Sequence, residues 1–197
     1  MQILASTTLP TEYGNFRFMA FGSAEEAGSQ GHPHVALHSP QPGDITDVRI
    51  HSECMTGDVF SSVKCDCGPQ LNAALDRFGE HGGLLVYLRQ EGRGIGLVEK
   101  VKAYELQATG LDTLDANLEL GHGADDRGYD AAIWLLKELG IHRVRLHSNN
   151  PEKVQALLDA DIEVVDRVPL EVGVVPENAA YLKTKRDRMG HLLQSLR

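Results

Sequence analysis

From residue 46 onward strands and helices alternate along this chain, which predicts an α/β fold. The expected architecture is a three-layer sandwich, with a mixed, mostly parallel sheet carrying helices on both faces and an N-terminal β-hairpin region beside it. Two further observations support this. Leu84-Leu85-Val86-Tyr87-Leu88 is a continuous apolar run of strand length, the pattern of a strand covered on both faces. The runs between strands keep helical spacing and end at glycines, as at Gly82, Gly110 and Gly140.

The elements follow in order. In the first 22 residues Tyr13-Gly14-Asn15 is a turn signal, and Phe16 and Phe18 alternate with Asn15, Arg17 and Met19. Residues 23–33 read as a Gly/Ser/Glu-rich loop, 34–38 as a short strand, and Ser-Pro-Gln-Pro-Gly breaks the chain before a strand over 47–51. Pro69 suits the first turn of a helix whose Leu71, Leu75 and Phe78 share a face. After the apolar run, Leu97, Val101, Tyr104 and Ala108 keep helical spacing, as do Tyr129, Ile133, Leu136 and Leu139. A strand over 143–147, a helix over 151–160 and a strand over 162–165 follow. The run 180–196 is basic and amphipathic, with Gly190 weakening it. No internal repeat or linker is visible, so a single domain over 1–197 is expected.

Composition narrows the function. A length of 197 residues, 42% of them hydrophobic and 24% charged, suits a globular core. A formal net charge of -9 argues against nucleic acid and anionic membranes as partners. An anionic ligand then needs a local basic pocket. No run approaches the roughly 20 apolar residues of a membrane span, and the N-terminus lacks a basic start with a long apolar core. A cytoplasmic protein is expected.

The three cysteines, Cys54, Cys65 and Cys67, fall within the stretch from Arg49 to Gln70. An odd number so closely spaced is a poor disulfide framework and a good metal cluster. Three thiolates leave one position of a tetrahedral zinc open for water, the arrangement of a catalytic rather than a structural site, so hydrolysis is the natural reaction class. Ligand type alone also admits iron. Glu53 is either a proton shuttle, a substrate acceptor or a solvated strand-end carboxylate.

Other stretches carry weaker signals. Arg-Gln-Glu-Gly-Arg-Gly-Ile-Gly, residues 89–96, offers guanidinium forks and glycine-exposed amides as an anion cradle, although a plain strand-to-helix turn reads the same way. Ala-Asp-Asp-Arg-Gly-Tyr, residues 124–129, reads as an acidic first helical turn. In Ser-Asn-Asn-Pro-Glu-Lys, Asn150 caps a helix and Lys153 opposes its dipole. Either an anion binds there or the lysine points to water. Tyr104 reads as a core tyrosine, and His51 and His122 as packed or surface histidines.

Taken together, R-I-H-S-E-C-x-T-G-D, C-D-C-G-x-Q-L, R-Q-E-G-R-G-I-G-L, D-T-x-x-A-N, D-x-R-x-Y and N-N-P-x-K, spread from Arg49 to Gly190, resemble GTP cyclohydrolase II in order and spacing. The resemblance implies a stand-alone hydrolase that opens the guanine imidazole ring of GTP at C8. It would release formate and pyrophosphate and give 2,5-diamino-6-(5-phosphoribosylamino)pyrimidin-4(3H)-one, the first step of riboflavin biosynthesis. Position by position, it implies Cys54, Cys65 and Cys67 as zinc ligands, Asp125 as general base, Arg127 as attacking the α-phosphate to expel pyrophosphate or else stabilising that transfer electrostatically, and Tyr104 as needed for complete turnover. It implies GTP contacts at Arg49, Ile50, His51, Ser52, Glu53, Gln70, Glu91, Gly92, Arg93, Thr113, Ser148 and Lys153. Magnesium would accompany the triphosphate, and the protein would be a homodimer. Ser148 stands where the family often has threonine, which keeps the hydroxyl. The alternatives are a zinc nucleobase deaminase, whose H-x-E and P-C-x-x-C pattern fails here for want of that proline, and a non-catalytic zinc-stabilised nucleotide-binding module.

Overall fold

The chain enters as an antiparallel hairpin, β1 (Gln2–Thr11) and β2 (Gly14–Gly22), followed by β3 (His34–Ser39) and β4 (Thr46–Ser52). A one-turn helix α1 (Met55–Asp58) and the long α2 (Cys67–His81) lead to β5 (Gly83–Leu88). Then come α3 (Gly96–Ala108), α4 (Thr113–Glu119), α5 (Asp130–Glu138), β6 (Arg143–His147), α6 (Pro151–Asp159), β7 (Glu163–Val168) and α7 (Ala179–Met189). This computed structural model describes residues 1–28, 31–123 and 127–194.

The strands form one mixed sheet in the order β1-β2-β3-β5-β4-β6-β7. The hairpin side is antiparallel through the β3–β5 pair, and β5, β4, β6 and β7 run parallel. Helices cover both faces, giving the expected three layers. Strand alternation sets which residues meet which helices. On one face Val48, Ile50, Leu84, Val86 and Leu146 pack with Leu135 and Leu136 of α5 and Leu157 of α6, all fully buried. On the other, Leu85 and Phe16 meet Ala74 and Phe78 of α2.

The second face of β4 is unusual, because it buries Asp47, Arg49 and His51. Arg49 lies beside Leu85 and His51 beside Tyr87 in the parallel register, so a polar row runs under α2 toward the strand's carboxyl end. The carboxyl ends of β4, β5 and β6 therefore open on one side of the sheet, where parallel α/β folds place ligands.

Sequence and structure differ at five elements. α1 and α4 are absent from the sequence reading; α4 is short, and its signal is local, with the Asp112 side chain accepting from the Leu114 and Asp115 amides. α3 forms, but most of the face presumed apolar turns outward: Leu97, Val101 and Ala108 are exposed, whereas Lys100 and Ala103 are buried. β7 begins one residue later and runs farther than expected, Glu163–Val168, and Ile162 is buried just before it. Gly190 does not weaken the C-terminal helix but ends it, in left-handed conformation. Among the described residues no helix is long and apolar enough to cross a membrane.

Asp47 ties β4 to β6 and to the loop before it: it accepts from His147 Nε2 at 2.6 Å, Arg145 at 2.8 Å and Gln41 at 3.1 Å. His147 stands edge-on to Phe78. Burial pushes the pKa of His147 below its ordinary 6.5 despite the Asp47 carboxylate, and burial does the same to His34, His38, His51 and His191. An unfolded imidazole then binds its proton at higher pH than the folded one. Stability is thus full above 6.5 and falls as the pH drops below it. Denaturant titrations are expected to show a lower midpoint at pH 5.5 than at pH 7.5, and His147→Gln should be less stable at pH 7.5 while losing less on acidification. A midpoint unchanged over that range would contradict this.

Candidate active site: a thiol triad at the mouth of a basic cleft

β4 delivers its last residues to the start of α1, with Cys54 at the cap position, and Cys67 opens α2, so the two helix starts bring the sulfurs together. Cys54 Sγ lies 3.6 Å from Cys65 Sγ, and all three sulfurs fall within 4.8 Å of one another. That is far from a disulfide bond length and close to the roughly 3.8 Å separation in a tetrahedral site with metal–sulfur bonds of ~2.3 Å. Gly57 makes the room. A Cβ there would stand 2.8 Å from Cys65 Sγ and 3.3 Å from Cys54 Sγ.

The loop is braced from below by Asp58. Its carboxylate accepts from the Cys54 amide at 2.9 Å, the Tyr87 hydroxyl at 2.9 Å and His51 Nε2 at 3.1 Å. From the side, Lys100 Nζ sits 3.2 Å from Cys54 Sγ and 2.7 Å from Glu91 Oε1, while Glu91 Oε2 accepts from the Met55 amide at 2.6 Å. Hydrogen bonds from the Cys65 and Cys67 thiols, helped by Lys100, hold Cys54 far below the usual thiol range. The same sharing pushes Cys65 up to about 11 and raises Cys67. One negative charge is stable on this trio without a cation; three thiolates require one. The donor set therefore suits a metal ion.

The triad opens into a cleft enclosing about 1080 Å³, part of it open to solvent. It is lined by Arg49, His51, Ser52, Glu53, Gln70, Glu91, Gly92, Arg93, Tyr104, Thr113, Arg127, Ser148 and Lys153 together with the three cysteines, so nearly all the residues singled out in the sequence converge there. Two do not. Ile50 is fully buried on the core face of β4, and its carbonyl accepts from Lys153 Nζ at 2.7 Å. Asp125 lies outside the described residues.

Within the cleft Arg49 donates to the His147 carbonyl at 3.0 Å and to Gln70 at 2.6 Å, leaving its Nε buried without a hydrogen-bond partner. Gly92 and Arg93 both take left-handed angles, which brings the Arg93 guanidinium inward; both its terminal nitrogens are buried and unpartnered. For arginine that backbone is strained, the kind of cost found at functional turns. Lys153 is only 5% exposed, so it does not point to water; it lies over the Tyr129 ring. Glu53 accepts from Arg89 Nε at 3.1 Å, and burial raises its pKa. Tyr104 is a cleft residue, not a core one. Its hydroxyl is 3.4 Å from Thr56 Oγ1, and burial pushes it up to about 12, so it stays protonated.

The family model described as GTP cyclohydrolase II matches residues 2–169. The chain belongs to the GTP cyclohydrolase II family. Among its relatives is a protein named GTP cyclohydrolase-2 from Neisseria meningitidis, 50% identical over 98% of this chain and 97% of the relative. A protein of the same name from Acinetobacter baumannii is 51% identical over 98% and 97%. The riboflavin biosynthesis protein RibBA of Parabacteroides distasonis is 49% identical over 96% of this chain, which covers 46% of that relative.

For a GTP cyclohydrolase II family member, several site residues were invisible to the sequence reading. Asp58 closes the motif that begins at Arg49, but its place beneath Cys54 shows only in the fold, and nothing local marks Lys100, 46 residues beyond that cysteine. Asp66, between two of the cysteines, accepts from Gln70 and from Lys185. Tyr181, Lys185 and His191 reach the cleft from the C-terminal segment, whose basic character was the only hint.

Metal analysis after dialysis tests the triad. Cys54→Ser should retain no metal, and Gly57→Ala should hold it about 10-fold more weakly, the scale of changes that disturb ligand support. Full retention by both variants would exclude the triad as the site.

Proposed function

We propose that the chain hydrolyses GTP at C8 of the guanine ring, releasing formate and pyrophosphate and leaving 2,5-diamino-6-(5-phosphoribosylamino)pyrimidin-4(3H)-one, the first step of riboflavin biosynthesis. The observation that carries this reading is that one cleft joins a three-sulfur cluster to Arg49, Arg93, Arg127 and Lys153, in a protein whose formal net charge is -9. The sulfurs suit a metal and the cations suit a polyphosphate. Family membership supports the choice of substrate.

Cys54, Cys65 and Cys67 would hold zinc, which lowers the pKa of a coordinated water toward about 7 and so supplies a nucleophile at neutral pH. The chain's own residues do the rest. Gly57 leaves space for the sulfurs, Asp58 fixes the Cys54 backbone, and Lys100 offsets the charge of the Cys54 thiolate. Glu53, beside Cys54 and half-screened from water, is placed to accept a hydrogen bond from the purine or to move a proton. Tyr104, whose hydroxyl lies beside Thr56, serves completion of the second hydrolysis after ring opening.

Arg49, His51, Ser52, Gln70, Gly92, Arg93, Thr113, Ser148 and Lys153 form the nucleotide-binding set, with Ile50 contributing through its carbonyl grip on Lys153. Glu91 acts from behind, holding Lys100, Met55 and the Gly92 amide. Arg127 stabilises charge at the α-phosphate as pyrophosphate leaves, in keeping with a guanidinium that stays protonated. Asp125 would accept the proton, and Mg²⁺ would accompany the triphosphate and offset its charge.

The chain acts as one domain over 1–197 in the cytoplasm, as a homodimer. The dimer is supported by Val98 and Val101 on α3 and Phe60 and Val63 after α1, all exposed, on elements joined through the contacts of Thr56 and Lys64 with Tyr104.

Metal-replete protein mixed with GTP and Mg²⁺ is expected to yield formate and pyrophosphate together, read by mass spectrometry. Surviving GTP, or ammonia in place of formate, would overturn the reading.

A further inference from the structure

The family match stops at residue 169, yet one wall of the cleft comes from beyond it. α7 ends where Gly190 adopts left-handed angles (φ 66, ψ 13), a conformation that disfavours any residue with a Cβ. The amides of Gly190 and His191 both return to the Lys185 carbonyl, which reverses the chain over the helix end. Leu192 then donates its amide to the Asn149 carbonyl at 2.9 Å, on the loop that follows β6, and Leu193 is buried. His191 is thereby held between two backbone anchors with its ring at the cleft.

α7 itself is tied at two places that matter to the site. Lys185 Nζ lies 3.1 Å from Asp66 Oδ1, in the loop that carries Cys65 and Cys67. Arg188 pairs with Asp112 and with Asp115, on either side of Thr113 at the start of α4. The C-terminal segment thus touches the metal loop, the Thr113 turn and the Ser148–Asn150 loop at once.

His191 is 8% exposed, and its Nδ1 is buried with no hydrogen-bond partner. Burial, and then the positive charges of Lys185, Arg127, Lys153 and Arg93, push its pKa down to about 2, so the ring is neutral. Among these neighbours Arg93 also presents two buried, unpartnered nitrogens. A neutral imidazole among four cations finds no acceptor in them. With Nδ1 protonated it has one donor to give, and the field around it favours an oxyanion as the receiver.

We propose that His191 is a ligand of the substrate's polyphosphate, supplied by the C-terminal segment and positioned by the Lys185–Asp66 and Arg188–Asp112/Asp115 contacts. This rests on the cyclohydrolase reading only in identifying the polyphosphate as that of GTP. Arg93 and His191 face the anion from segments 98 residues apart in the chain.

The test is calorimetric titration of metal-replete wild type, His191→Ala and His191→Asn with inorganic tripolyphosphate, GTP and guanosine. Asn offers an N–H near the position of Nδ1. One hydrogen bond to a charged group corresponds to about 10-fold or more in affinity. His191→Ala is expected to lose that much toward tripolyphosphate and GTP and nothing toward guanosine, and His191→Asn to recover most of it. Unchanged tripolyphosphate binding in His191→Ala, an equal loss for guanosine, or no tripolyphosphate binding by the wild type would each overturn the assignment. Wild type that leaves GTP intact, with His191→Ala losing affinity for tripolyphosphate, would refute the cyclohydrolase reading and uphold the role of His191. Wild type that consumes GTP, with His191→Ala binding tripolyphosphate equally well, would refute the role of His191 alone.

Discussion

Three sulfurs crowded within 4.8 Å of one another set the electrostatic problem that the rest of the site answers. Without a metal ion they share protons, which holds Cys54 well below the usual thiol range and Cys65 and Cys67 above it. A divalent ion would suit all three as thiolates, and the fold holds the sulfurs together for one. Asp58 spends its carboxylate on the Cys54 amide, Tyr87 and His51, and Gly57 keeps the volume clear. Lys100 adds a positive charge at one sulfur while Glu91 holds that lysine in place. Such support from outside the ligand set orients the ligands and tunes the metal.

A second consequence is the separation of charges. The acidic groups nearest the triad are consumed by internal partners: Asp58 by three donors, Glu91 by Lys100 and two amides, Asp66 by Gln70 and Lys185. The cations facing the cleft are not all neutralised in this way, since Arg49 and Arg93 retain buried nitrogens without hydrogen-bond partners. An acidic protein thereby keeps a basic interior cleft, and a polyanion entering it meets preorganised donors instead of flexible surface side chains.

Much of this was legible in the sequence where a local pattern decides the outcome. The apolar run 84–88 became the buried β5, and Asn150-Pro151 became the cap and first turn of α6, with Asn150 accepting from the Glu152 amide. The cysteine spacing foretold the triad. What stayed hidden depends on tertiary placement. The outward turn of Leu97 and Val101 and the burial of Lys100 reverse the reading from periodicity alone, because α3 packs its charged residue toward the triad. Tyr104 followed the same face into the cleft. The Tyr87–Asp58 bond spans 29 residues and the Leu192–Asn149 bond that holds His191 at the cleft spans 43, separations that no local spacing encodes.

The account turns on three cysteine sulfurs leaving one coordination position to the solvent side of the cleft. X-ray absorption at the metal edge of the zinc-loaded protein tests that most directly. The account predicts three sulfur neighbours at about 2.3 Å and a single oxygen neighbour. A shell completed by an imidazole or a fourth protein ligand would contradict it and leave the cleft with no open metal position for a water.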